Sequence, residues 1–184
     1  MKTLLAFIFF IGFTSNSNFK KKILPYSLVI TKADLIVEGN ISDVSFSLHQ
    51  YDLNVTEFIK GESEQNITVD MWKEWTCDQR IEKPKKGQKL LLFLTKQRSG
   101  HYEIINGSTG ELFIRKDDSV ETFMNWELPK LDELKTGIKM FTQAFEYRDG
   151  NESYFEKRIS EDAMDKMIAE NNFFKSLAER VYKK

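Results

Sequence analysis

The parity of the apolar residues between positions 32 and 48 constrains this chain more than any other feature. Leu35, Val37, Gly39 and Ile41 share one face of an extended strand, whereas Val44, Phe46 and Leu48 share the other, because side chains alternate with a period of two. One extra residue near Ser42 and Asp43 reconciles the two sets, as a β-bulge does. Gly39 stands just before it, where a bend costs little. A long strand that bends and bulges belongs at the corner of a small closed barrel, where it pairs with both sheets.

The segments that follow supply partners for such a strand. Residues 50–59 alternate, with Tyr51, Leu53 and Val55 on one face and Asp52, Asn54 and Thr56 on the other, the pattern of a half-buried antiparallel strand. Ile67, Val69 and Met71 repeat it after the polar turn at 60–64. Residues 72–86 form the longest excursion, closed by the breaker around Pro84 and Gly87. Leu90, Leu91, Leu92, Phe93 and Leu94 are apolar without interruption, which requires cover on both faces: the barrel interior on one and a lid on the other. Residues 101–106 and 111–116 are read as a last hairpin around 107–110.

Helices supply the lid. Residues 25–31 suit a short helix leading into the first strand. Leu131, Leu134, Ile138, Phe141 and Phe145 fall on one helical face, with Pro129 in the first turn. A second helix should start at a Ser160 cap and run through Met164, Met167, Ile168, Phe174, Leu177 and Val181. The expected fold class is therefore mainly β with α. Its three parts are a leader over 1–17, a barrel with a short N-terminal helix over 18–128, and a C-terminal helical pair over 129–184 packed on the barrel's outside.

The leader reading rests on order. Lys2 precedes an apolar block from Leu4 to Phe13, and small polar residues through Ser17 follow. That is a secretory signal with maturation near Asn18, and the block is too short to span a bilayer. No second long apolar run exists, so no membrane span is expected in the mature chain, and its place is secreted or periplasmic. Lys20, Lys21 and Lys22 read as a solvated tail. With 27 basic and 28 acidic residues, charge gives no reason to propose nucleic acid as a partner. The single cysteine, Cys77, excludes an intrachain disulfide and is best read as a small buried thiol. Asn40, Asn54, Asn66, Asn106 and Asn151 head sequons and are glycosylation candidates if the host is eukaryotic.

The succession 33–39, 54–61, 67–69, 86–94 and Gly107-Ser108-Thr109-Gly110 resembles the OB-fold module of the tissue inhibitors of metalloproteinases, the netrin-like superfamily, and above all its uncharacterised secreted relatives. The resemblance covers roughly residues 30–116, about half of the chain. It implies a five-stranded OB-like Greek-key barrel in a secreted, non-catalytic module. The family's inhibitors chelate the protease zinc through an N-terminal cysteine. This chain has no cysteine before Cys77, so that mechanism does not carry over. Relatives pair a cysteine near position 77 with one in the Gly-Ser-Thr-Gly segment, and here that partner is missing.

No catalytic residue, cofactor site or metal site stands out. His49, His101 and Cys77 are not spaced as metal ligands, and a nucleophilic role for Cys77 needs a base beside it in space. Asp149, Asn151 and Ser153 begin like a calcium loop, but Tyr154 replaces the required glycine and Ser160 the final acid. They read as a turn between the helices. Trp72 and Trp75 lie in the longest barrel loop, where aromatics either anchor a partner or pack beneath the loop. The expected function is a secreted binding module with a protein partner, in the manner of a protease inhibitor. The alternatives are a hydrolytic enzyme and a structural envelope protein.

Overall fold

A computed structural model of the chain describes residues 21–123, 127–150 and 154–182. The expected signal segment and the expected maturation point at Asn18 lie outside the described residues, as do Asn151 and Ser153.

A short helix, α1 (Tyr26–Lys32), follows Pro25 and leads into β1 (Leu35–Ser45), as its position predicts. Strand β1 pairs antiparallel with β2 (Gln50–Lys60) and slips register between Ile41 and Asp43, where the parity change placed the bulge. Two further slips fall between Ile36 and Val37 and between Glu38 and Gly39. A Cβ on Gly39 would lie 2.7 Å from Asn54 O and 2.8 Å from the Leu53 side chain, so the close approach of β1 and β2 depends on that glycine.

Strand β3 (Asn66–Asp70) pairs antiparallel with β2, and β4 (Lys89–Lys96) runs antiparallel to β1 from Leu35 opposite Leu94 to Asn40 opposite Lys89. Strand β5 (Tyr102–Ile104) closes the cylinder, parallel to β3 and antiparallel to β4. The circuit β1-β2-β3-β5-β4-β1 is an OB-like Greek-key barrel, extended past β4 by β6 (Glu111–Ile114) and β7 (Val120–Glu121).

Two expectations about these strands are corrected. Strands β5 and β6 do not form a hairpin. Both line the same edge of β4, with Ile104 opposite Leu94 and Glu111 opposite Leu92. The 107–110 segment is a buried 3₁₀ turn between them, tied on by Phe93 N donating to Gly110 O and Ile105 N donating to Phe93 O, both 2.9 Å. Strand β4 needs hydrogen-bond partners along its whole length, and a hairpin would have left that edge open. Phe46 and Leu48 do not continue β1 either. Ser45 already pairs with Gln50, so residues 46–49 are the turn, and the two side chains stand 63% and 69% exposed.

The apolar run in β4 divides the core as its lack of alternation implies. Leu90, Leu92 and Leu94 face the barrel interior with Leu35, Val37 and Leu53. Leu91 and Phe93 face outward, into a second cluster shared with Ile36, Leu112 and the helices. Helix α2 (Leu131–Ala144) contributes Leu134, Ile138 and Phe141 to it. Lys130 is its N-cap, so Pro129 stands outside the first turn. Phe145 leaves the helix but stays buried and opens a hairpin, β8 (Phe145–Arg148) with β9 (Tyr154–Lys157), where the sequence pattern implies only a turn between helices.

The second long helix is two. Ser160 caps α3 (Glu161–Glu170), accepting from Ala163 N at 3.3 Å. Asn171 then adopts an extended backbone and caps α4 (Asn172–Val181): its Oδ1 accepts from Phe174 N at 2.7 Å and its Nδ2 donates to Glu133 O at 2.9 Å. An asparagine cap both ends one helix and begins the next, and the new axis lets Phe173 join Phe174 in the core. Among the described residues no helix is long and apolar enough to cross a membrane.

Candidate functional site

Two connections leave the same end of the barrel, because Gln50 at the start of β2 pairs with Asp70 at the end of β3. One is the 46–49 turn. The other is the long 71–88 connection, whose first residue reaches back so that Met71 N donates to His49 O at 2.8 Å.

The long loop returns to close the barrel mouth with a charge. The Arg80 side chain is 2% exposed and its Nε lies 2.8 Å from Oε1 of the equally buried Glu111, a close charge contact without the alignment of a hydrogen bond. Its Nη1 donates to Trp72 O at 3.2 Å and Glu74 Oε1 at 3.1 Å, and Arg80 N donates to Glu74 Oε2 at 3.0 Å. The Trp72 ring covers the guanidinium, 4.3 Å from Arg80 Cζ to the ring centroid, a stacking that suits arginine and holds it in place. Arg80 Nη2 and Trp72 Nε1 are buried with no hydrogen-bond partner among the described residues. Glu111 lies inside the barrel beside Tyr51, whose hydroxyl donates to Oε2 at 3.3 Å. Burial pushes the Glu111 carboxyl up to about 7 against the opposing pull of Arg80, and burial also raises the Tyr51 phenol.

A second polar knot joins the loop to the 107–110 segment. Asp78 is buried, and its Oδ1 accepts from Ser108 N at 3.1 Å and from Lys21 Nζ at 2.8 Å. The carboxylate thus ties the long loop to the 107–110 segment. Lys21 Nζ also donates to Ser108 Oγ at 3.1 Å and Thr109 Oγ1 at 3.3 Å. Lys21 was expected in a solvated tail. Its side chain is instead 7% exposed, while Lys22 remains in solvent.

Between these knots, Trp75 and Asp78 exchange backbone hydrogen bonds, both 2.9 Å, so that residues 75–78 form a tight turn. Cys77 sits on this turn as an exposed free thiol, which corrects the expectation of a buried one. Asp78 takes the inward position because it alone has cationic and amide donors waiting there. The two tryptophans expected together part company: Trp72 is half-buried under the loop, whereas Trp75 is 38% exposed.

The remaining marked residues lie elsewhere. His101 Nδ1 is 3.0 Å from Gln50 Nε2 and 3.4 Å from Asp70 Oδ1, and His49 is exposed in the 46–49 turn. Among the described residues no group of three or more His, Cys, Asp or Glu side chains is arranged to hold a metal. Asn40, Asn54 and Asn66 are cross-strand neighbours over β1, β2 and β3. Asn106 has a left-handed backbone, and its amide is engaged, Oδ1 accepting from Leu24 N at 3.1 Å and Nδ2 donating to Lys22 O at 3.0 Å.

Sequence reasoning missed Asp78, Arg80, Ser108, Thr109 and Glu111. Glu111 alone left a trace, since it shares strand parity with the inward-facing Phe113, and an acid on a core face is unusual. No protein-family model matches the chain, and none of the curated proteins matches it.

Proposed function

We propose that the chain is a secreted, non-catalytic binding module that engages a protein partner through the mouth end of its barrel. One observation carries this reading. Phe46, Leu48 and Trp75, three of the large apolar side chains left exposed among the described residues, stand on the two connections at that end, which touch through Met71 and His49. Scattered exposed apolar residues are ordinary, but several gathered at one end with an aromatic among them suit a contact patch with an anchor. The root of the loop is fixed by the Arg80–Glu111 pair and by Asp78, so the patch stands on a rigid base. The N-terminal order of charge, apolar block and small residues supports export.

The resemblance to metalloproteinase inhibitors supports an inhibitor-like role for the same end. The chain lacks the N-terminal chelating cysteine, so contact with a zinc protease would fall to the 46–49 and 71–80 loops. The test is capture from the protein's own extracellular fluid, with the mature chain beside a Phe46→Ser/Leu48→Ser/Trp75→Ala variant. One defined protein held by the parent and lost by the variant is the expected result. Equal capture by both, or capture of nothing by the parent, overturns the proposal.

A further inference from the structure

We propose that Asp78, Ser108 and Thr109 form a binding site for a primary ammonium group, filled in cis by Lys21 and open to a lysine of the protein partner when the 21–24 segment lifts away. The in-trans half of this inference rests on the binding-module reading above.

The site has the shape of its ligand. An ammonium carries three donors, and Lys21 Nζ meets three oxygens: Asp78 Oδ1 at 2.8 Å, Ser108 Oγ at 3.1 Å and Thr109 Oγ1 at 3.3 Å. Two neutral hydroxyls and one carboxylate oxygen match a tripod better than a planar guanidinium, which favours a bidentate carboxylate. All three residues are buried.

The site is also built independently of Lys21. Ser108 N donates to Asp78 Oδ1 at 3.1 Å, and Thr122 Oγ1 donates to Ser108 O at 2.9 Å. Gly107, at φ +56, leaves room for the carboxylate, since a Cβ there would lie 2.2 Å from Asp78 Oδ2. Nothing in that frame comes from the N-terminal segment.

The segment that brings Lys21 is held by few contacts of its own. Beyond the ammonium, it is tied by the two hydrogen bonds of the Asn106 amide, which donates to Lys22 O and accepts from Leu24 N, and by the Leu24 side chain, which packs on the edge of the outer core. Lys22 is exposed, Ile23 and Leu24 are half-buried, and full burial begins at Tyr26. Release would leave Asp78 as a buried carboxylate without its counter-charge, which is costly. The vacated site therefore demands another cation of the same form. It lies beside Trp75 and Cys77, on the loop assigned above to partner contact.

The experiment uses the mature chain with Lys21→Ala and, in parallel, Lys21→Met, which keeps the aliphatic stem and so guards against loss of the fold. The backbone amide signals of Gly107, Ser108 and Thr109 are followed by NMR during titration with n-propylammonium chloride, and with tetramethylammonium chloride at equal ionic strength. The expected result is a saturable shift with propylammonium in the Lys21 variants. No shift is expected with tetramethylammonium, in the wild type, or in Lys21→Ala/Asp78→Asn. Folded Lys21 variants that do not respond, or that respond alike to both salts, overturn the site. For the in-trans half, Lys21→Ala should capture more partner than the wild type, and propylammonium should reduce that capture. Propylammonium binding without such competition overturns the in-trans half alone. Failure of the parent to capture any partner defeats the binding-module reading and leaves the titration unaffected.

Discussion

Replacing Arg80 with methionine should destabilise the fold by about 3–5 kcal/mol at pH 8, the usual cost of removing one partner from a buried ion pair. The two side chains are each 2% exposed and 2.8 Å apart, so the change leaves the Glu111 carboxylate in the barrel interior with, among the described residues, the Tyr51 hydroxyl as its remaining hydrogen-bond donor. The deficit should depend on pH in a definite direction. With Arg80 present, burial already lifts the Glu111 carboxyl from 4.5 to about 7. A folded-state carboxyl raised above its unfolded value binds its proton more tightly in the fold, so its contribution is fully present below about 4.5 and is lost as pH rises through about 7. At roughly 1.4 kcal/mol per pH unit, that loss is of the order of 3 kcal/mol in the wild type. Without the guanidinium the carboxyl rises further, so the variant should recover much of its deficit at pH 5. Adding Glu111→Gln, which removes the charge and keeps an acceptor for Tyr51, should recover most of it at pH 8. Urea unfolding followed by far-ultraviolet circular dichroism at pH 5 and 8 measures these differences. An Arg80→Met variant within about 1 kcal/mol of the wild type at pH 8, where several are expected, would refute the reasoning. So would an equal deficit at both pH values.

Gly39→Ala should destabilise by about 1–3 kcal/mol, the usual cost of overpacking, because its Cβ would meet Asn54 O at 2.7 Å; chemical denaturation tests it, and a neutral substitution contradicts the close β1–β2 approach. Ending the chain after Leu128 should uncover Ile36, Leu91, Phe93 and Leu112, each fully buried, a loss of at most roughly 6–12 kcal/mol. The truncated barrel should then aggregate or bind a hydrophobic dye, whereas a monomer with an unchanged melting temperature would show that the helices are dispensable. Cys77 should react with a maleimide in the native protein at nearly the rate seen in urea, as its exposure requires; strong native protection contradicts that placement.

The parts of the fold that rest on local pattern were legible in the sequence. The parity slip at Ser42 and Asp43 located a bulge, and the unbroken apolar run in β4 demanded both an interior and a lid, because each follows from the two-residue period of one strand. The ends of elements were harder. Phe46 and Leu48 keep the alternation of β1, yet their pairing partner had already turned back at Gln50. The glycines at 107 and 110 look like a hairpin, and only the need of β4 for partners along its whole edge separates β5 from β6. Asn171 looks like one more polar residue in a long helix until its cap bond to Phe174 is seen. The mouth was nearly invisible. Arg80 and Asp78 each pass for surface charge in a strongly charged chain, Glu111 shows only through its strand parity with Phe113, and Lys21 hides in a lysine triplet. What distinguishes them is burial by segments distant in sequence, which no local period records.

The central claim, that the mouth end of the barrel is the contact surface, is tested most directly by site-directed photocross-linking. A benzophenone maleimide is placed on Cys77, or on Glu62→Cys in a Cys77→Ser background. Position 62 lies in the turn between β2 and β3, at the opposite end from the 46–49 turn. Each labelled protein, beginning at the proposed maturation point, is then irradiated in the extracellular fluid to which the proposed export would deliver it. The account predicts a single defined adduct from Cys77 and none from position 62. A defined adduct from position 62 alone, or equal labelling from both ends, would contradict it.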